Sequence, residues 1–518
     1  MSFGKRLVVL LLLLLSLPSL AGSAVADNHL TIHVQDIDGD TLPCRVHLQD
    51  ADGKPLRAQG LPFWNDHFVC PGQARVALSA GVFRYEIERG PEYIPATGKV
   101  TVSAGKDHQL TVQLKRRVDM AAKHWWSGEL HIHRPIEQVP LHLQAEDLHI
   151  GPTITWWNGR DLWRERDVPE HTHFTVDGDR HYDVMGGEDE REGGALLYFG
   201  LKKPLALPGG RGQFPEYPSP MTFLKQAREQ KDVWIDVEKP FWWDVPIWLA
   251  SGQVDSIGLA NNHMCRSRMY ESEAWGRPRD TQRLPAPRGN GLWTQEIYYH
   301  ILNCGLRIPP SAGSASGVLP NPVGYNRVYV HTGKRLDWDD WWSGLKAGRS
   351  FVTNGPLLIC RANGHLPGHV MAADGDAKLV RLSVEVITND SVPAIEVVNN
   401  GTVIIAGGGG VIRGANGPGR MRLETTLALK PGWFLVRAIT ERTDTFRFAS
   451  TAPWYIESTG QPRRISRRSV EFFTNWVEER ADRVRLKLDD AAKLSDVLKH
   501  HDQARRFWND RLNLANAP

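Results

Sequence analysis

Hydrophobic periodicity changes three times along this chain of 518 residues, and each change limits the fold. From 28 to 117, apolar and polar residues alternate in short runs, with Asp-Gly turns at Asp38-Gly39 and Asp52-Gly53. Closely spaced period-two runs of this kind predict a β-sandwich. From 118 to 354, strand-like runs such as GELHIH, GPTITWW, YDVMGGE and VDSIGLANNH alternate with helical stretches such as PMTFLKQAREQ and TQEIYYHILNCG. That alternation predicts a β/α domain with a parallel sheet or barrel. Period two returns over 355–458, in LVRLSVEVITND, MRLETTLAL and GWFLVRAIT, and predicts a second β-sandwich. Apolar residues at helical spacing predict a helical segment within 459–518 that packs back on the barrel or the sandwich. The fold class expected is therefore multidomain α/β and β. Gly407–Gly410 reads as a flexible turn, because no Lys-Ser/Thr follows to make a phosphate loop.

The first residues carry a separate expectation. Lys5 and Arg6 precede an apolar run from Leu7, and Ala24-Val25-Ala26 has the small-residue pattern of a cleavage site. Residues 1–26 read as a secretory signal peptide, with an uncleaved anchor as the alternative. The protein is expected to be exported, to a periplasm or beyond the cell, with no stable membrane insertion after signal cleavage. Basic and acidic residues nearly balance, 62 against 59, and no run of like charge invites nucleic acid or an anionic membrane. An oxidising compartment permits disulfides. Cys44 with Cys70 is the favoured pair and Cys265 with Cys304 a second, leaving Cys360, although buried free thiols satisfy the sequence as well. The 19 tryptophans cluster at Trp125-Trp126, Trp156-Trp157, Trp242-Trp243 and Trp341-Trp342. They suit interior packing or a sugar-stacking surface.

His131 and His133 end the apolar run GELHIH. On a strand, residues i and i+2 share a face about 6.6 Å apart. Neutral imidazoles so placed can chelate Zn, Mn or Fe. The spacing alone is weak evidence, since a chain with 20 histidines yields about one such pair by chance. Indeed His171 and His173 in EHTHF form another, in a polar stretch that reads as surface loop. The first pair differs because it closes an apolar strand at the start of the β/α region.

WWSGELHIH resembles the opening motif of the PHP (polymerase and histidinol phosphatase) superfamily, and most of all its CehA/McbA-like metallohydrolase branch. AGRSFVTNGPLL at 347–358, followed by RANGHLPGHVM, is similar to the segment that closes the barrel in that branch. The resemblance implies a distorted seven-stranded β/α barrel flanked here by the two sandwiches. It also implies a site of histidines and carboxylates at strand ends that holds divalent metals and activates water. On it, His131 and His133 are metal ligands, and Glu188 in MGGEDER matches a strand-end glutamate that bridges metals. The alternative for Glu188 is one charge in a solvated cluster with Asp189, Glu190 and Arg191.

The chain departs from that pattern at three places. Trp156 and Trp157 stand where the family has an Asp-His pair, Glu238 and Lys239 where it has His-Pro, and Ala315 and Gly317 where it has Asp and His. The expected site is thus reduced to one or two ions. His263 in GLANNHM is a replacement ligand or an ordinary hydrogen-bonded histidine. Glu238 is a substitute ligand or, like Glu188, a general base. Lys239 pairs with a substrate anion or with Glu188. Asp183 and Arg191 are further candidates without a motif. SAGSASG at 311–317 lacks the Gly-x-Ser-x-Gly elbow and reads as a flexible loop of small residues.

Two functions follow as expectations. One is a metal-dependent hydrolase acting on a small organic or phosphorylated ester or an amide. The other is a non-catalytic barrel scaffold that binds a glycan or another extracellular ligand through a Trp-rich mouth. A structural surface protein with two contact modules is a third, more remote reading.

Overall fold

A computed structural model describes residues 28–209, 215–405 and 419–518. The expected signal peptide and the Gly407–Gly410 turn lie outside the described residues. No helix among the described residues is long and apolar enough to cross a membrane.

The alternation over 28–117 produces two sheets. One sets Asn28–Gln35 between Gln73–Leu78 and His108–Gln113; the other runs Phe63–Trp64, His67–Cys70, Cys44–Gln49, Gly81–Glu88, Ala96–Val102. Their inward residues, among them Leu30, Ile32, Val46, Phe68, Val76 and Ile87, make one core. Cys44 and Cys70 face each other across paired strands with sulfurs 3.6 Å apart. All five cysteines are buried free thiols.

The central sheet winds round and closes on itself. Ile150–Trp157 pairs in parallel with Arg180–Arg191, which pairs antiparallel with Gly194–Phe199. Next come Trp234–Val237, Ser256–Ala260 and Pro310–Ala312, the last two joined in parallel. The short stretch around Ile132 completes the ring, because it bridges Thr153 on one side and Ser316 on the other. Pro220–Arg228 is a helix between strands. It starts where Ser219 accepts the Met221 N–H and Pro220 fills the first turn, a position where proline forfeits no hydrogen bond.

The 311–317 stretch is not a flexible loop. Leu130 N–H donates to the Ala312 carbonyl, His133 N–H to Ser316 and Ala315 N–H to His131, at 2.8–2.9 Å. A Cβ on Gly313 would lie 2.5 Å from His131 Cβ, and one on Gly317 would lie 2.4 Å from the His133 carbonyl oxygen. The small residues therefore serve close approach to the His-x-His backbone. Glu129 pins the same segment by accepting backbone N–H groups of Ser314 and Gly324.

Hydrogen bonding continues from the central region into the second β region. Trp125–Gly128 pairs with Arg327–His331, then Ser350–Thr353, Phe448–Thr451 and Gly432–Ile439 follow in one sheet. Facing it are Leu357–Ala362, Lys378–Ile387 and Arg420–Leu429. The core between them joins Trp125, Tyr329 and Phe351 to Leu382, Phe434 and Trp454.

Two helices end the chain, Arg467–Lys487 and Ala491–Asn513, capped by Ser466 and Asp490. They pack on the central region. Trp508 donates its indole N–H to the Pro246 carbonyl, and the buried Arg480 is held by Glu216 and Asp244. Trp156, Trp242, Trp248, Trp341, Trp454, Trp476 and Trp508 are all less than 2% exposed, so most of the tryptophan clusters pack the interior.

Candidate metal centre

The ring brings His131, His133 and Glu188 together. The two imidazole Nε2 atoms lie 2.9 Å apart, and Glu188 Oε2 lies 3.1 Å from His133 Nε2 and 3.5 Å from His131 Nε2. One ligand atom from each falls within 4.8 Å of the others. Two glycines allow Glu188 to come so near. A Cβ on Gly186 would meet the Thr153 carbonyl at 2.5 Å, and one on Gly187 would enter the Trp156 ring at 1.8 Å. The MGGE run thus lets Arg180–Arg191 press against Ile150–Trp157 and aims its glutamate at the histidines.

The group is buried, with side chains 3%, 9% and 3% exposed for His131, His133 and Glu188. Burial pushes the Glu188 carboxyl up, but His131 and His133 outweigh it and hold the group well below the usual carboxylate range. For His131, burial opposes the charged form, and Glu188 with Glu238 more than offsets it, raising its pKa. For His133 burial dominates and lowers it. Glu188 Oε2 accepts no well-aligned hydrogen bond although both imidazoles are near.

Glu238 stands on the far side of His131, its Oε1 3.4 Å from Nδ1. Its oxygens already accept from Asn262 at 2.6 Å, from Trp242 at 2.9 Å and from Lys239. It faces the imidazole edge away from Glu188, where a carboxylate selects the tautomer with the proton on Nδ1 and the lone pair on Nε2. Lys239 pairs with Glu238, not Glu188, and lies 4.6 Å from the Trp242 ring centre.

His263 is not among the residues whose ligand atoms gather. Its Nδ1 lies 3.1 Å from the Ser272 carbonyl, and its ring sits between Phe241 and Tyr270. Asp183 accepts from Thr172 and from the Met185 N–H, and burial pushes its carboxyl up to about 6. Asp189 and Arg191 form a two-pronged ion pair with no exposure, so the charges around Glu188 are not a solvated cluster. Trp157, in the place of an expected Asp-His pair, lies 5.2 Å from the His133 ring. His173 pairs with His181 at the surface and stacks on Trp338.

Three groups escape a reading of the sequence. Glu190 is pushed up to about 9 by burial and by Glu188 and Glu238, so it keeps its proton at neutral pH. Asp236 accepts from Ser311 and Ser256, and burial raises it to about 7. A second trio, His47, Asp66 and His67, gathers in the N-terminal sandwich. Its one signal is the adjacent Asp-His in FWNDHF, which carries no spacing motif.

No family model matches this chain, and no curated protein or solved structure matches it.

Proposed function

We propose that the protein is an exported metal-dependent hydrolase whose central ring is a PHP-type barrel with a reduced site. The observation that carries this reading is the meeting of two imidazole Nε2 atoms and an unsatisfied, buried carboxylate oxygen at one point. Two donors bound to one ion at about 2.1 Å lie about 3 Å apart, which fits the spacing among His131, His133 and Glu188. Two nitrogens and one oxygen suit Zn, Mn or Fe. Three donors call for one ion and leave positions for water and substrate.

His131, His133 and Glu188 would hold the ion, which when bound lowers the pKa of a coordinated water enough to supply hydroxide near neutral pH. Glu238 keeps the His131 proton on Nδ1, and Asn262, Trp242 and Lys239 keep Glu238 in place. Trp157 flanks His133, the most exposed member of the trio, and offers an apolar wall to an organic ester, phosphoester or amide. The alternative reading, a glycan-binding scaffold, draws on the few partly exposed tryptophans, Trp157 and Trp163 among them, since most of the others are interior.

Elemental analysis of the purified full chain tests the proposal. A stoichiometric divalent metal is expected, absent from His131→Ala/His133→Ala. A folded wild-type protein that neither retains nor takes up Zn, Mn or Fe would refute it. A panel of aryl phosphates, esters and amides on the loaded protein then assigns the substrate class.

A further inference from the structure

A cleft of about 290 Å³ opens where the second sandwich meets the end of the helix Gly289–Asn303 and the C-terminal segment. Its charges do not balance. Arg307, Lys430, Arg463 and Arg464 line it against two carboxylates, Asp376 and Glu457. Glu457 serves two of these cations at once, since its Oε1 accepts from Arg307 Nη2 and lies 3.4 Å from Arg463 Nε.

The other two cations have no such partner. Arg464 is half-buried, and burial lowers its pKa. Its guanidinium reaches a side-chain oxygen of Asn303 only at 3.5 Å. Among the described residues, neither Arg464 nor the exposed Lys430 has a carboxylate within ion-pair distance. Arg307 lies 4.2 Å from the Tyr455 ring centre, and its Nε is a buried donor with no acceptor. A buried donor without a partner is destabilising, and an acceptor brought by a ligand relieves it. Concave sites of this kind, with a few convergent polar groups on an apolar wall, are where small ligands bind. The half-buried Tyr455 and Pro431 supply that wall.

We propose that this cleft binds a small organic anion, with a phosphate or carboxylate head between Lys430, Arg464 and Arg307 and an apolar body against Tyr455 and Pro431. Charged acceptors satisfy guanidinium and ammonium donors better than neutral ones do. None of His131, His133 and Glu188 lines the cleft, so it is distinct from the metal centre and does not depend on that reading.

Isothermal titration of the full chain with phenyl phosphate, benzoate and inorganic phosphate tests it. Saturable binding of at least one aryl anion is expected, and the ranking of phenyl phosphate against benzoate names the head group. Lys430→Gln/Arg464→Gln should weaken that binding about tenfold or more, while His131→Ala/His133→Ala leaves it unchanged. Lys430→Gln alone, at an exposed side chain, should weaken it by a smaller factor and guards against a folding defect in the double variant. Absence of saturable binding by both aryl anions overturns the proposal. So does full affinity in Lys430→Gln/Arg464→Gln, or loss of binding in the histidine variant alone.

Discussion

Among the described residues, two places gather two histidines and one carboxylate, and they differ in which ring nitrogens face the carboxylate. At His47, Asp66 and His67, each imidazole Nδ1 faces its own oxygen of Asp66, at 3.3 and 2.9 Å. Arg45 Nε donates to His47 Nε2 at 3.1 Å. An arginine is always a donor, so His47 Nε2 is an acceptor and its proton sits on Nδ1, toward Asp66. In that trio both Nδ1 atoms are turned to Asp66 rather than to a shared point, and His67 Nε2 is buried without a partner. At His131, His133 and Glu188, two Nε2 atoms and one Oε2 converge on a single point, and Glu238 draws the His131 proton to the opposite edge. Two imidazoles near a carboxylate occur in both trios. Which ring nitrogen faces the carboxylate separates them, Nδ1 at Asp66 and Nε2 at Glu188.

The sharpest way to break this comparison is to neutralise each carboxylate. Glu188→Gln should lower metal affinity by more than the about 100-fold that losing a hydrogen bond to a ligand costs, read by competition with a chromophoric chelator. Asp66→Asn should leave metal content unchanged and destabilise the protein by about 2–3 kcal/mol in urea, because it removes an acceptor for a buried N–H. Equal loss of metal in both variants would erase the distinction.

Acid sharpens it further. Burial lowers the His67 pKa to about 3, so the folded chain keeps this imidazole neutral while the unfolded chain protonates it near 6.5. The stabilisation is full above about pH 6.5 and fades as pH falls toward 3. From pH 7.5 to 5 the loss amounts to about 2 kcal/mol. Asp66, held well below the usual range by His47 and His67 against the effect of burial, adds a loss in the same direction at still lower pH. Denaturant titrations of His67→Asn, whose amide keeps a donor near Nδ1 but does not titrate, should show a flatter profile than wild type.

The smallest expected effect is at Glu238. Glu238→Gln keeps an acceptor for His131 Nδ1 but loses the charge, and should weaken metal binding about tenfold. No change would mean that Glu238 belongs only to the Lys239, Trp242 and Asn262 network.

Much of the architecture was legible because periodicity reports burial directly. Period two over 28–117 appears as two sheets around one core, and apolar residues at helical spacing appear as Arg467–Lys487 and Ala491–Asn513. The break between those helices was not read; it lies at Asp490, whose side chain accepts the Ala492 and Lys493 N–H groups and caps the second. The shared sheet from Trp125–Gly128 to Phe448–Thr451 was not legible, since nothing in a strand's own residues names a partner hundreds of positions away. Small residues at 311–317 misled for a related reason. Glycine and serine read as flexibility, but Gly313 and Gly317 are the only way for two backbones to close on each other there.

By itself, the sequence determined the broad succession of β and helical regions and set two imidazoles one residue apart, because those are local properties of spacing; the named strand ends at Gly128, and around the imidazoles only Ile132 makes bridges. Only the tertiary structure decided that Glu188 meets them, that His263 does not, and that Glu238 lies behind His131. Hydrogen bonds and charge contacts act over a few ångströms, and distance along the chain says nothing about separation once a sheet has closed on itself.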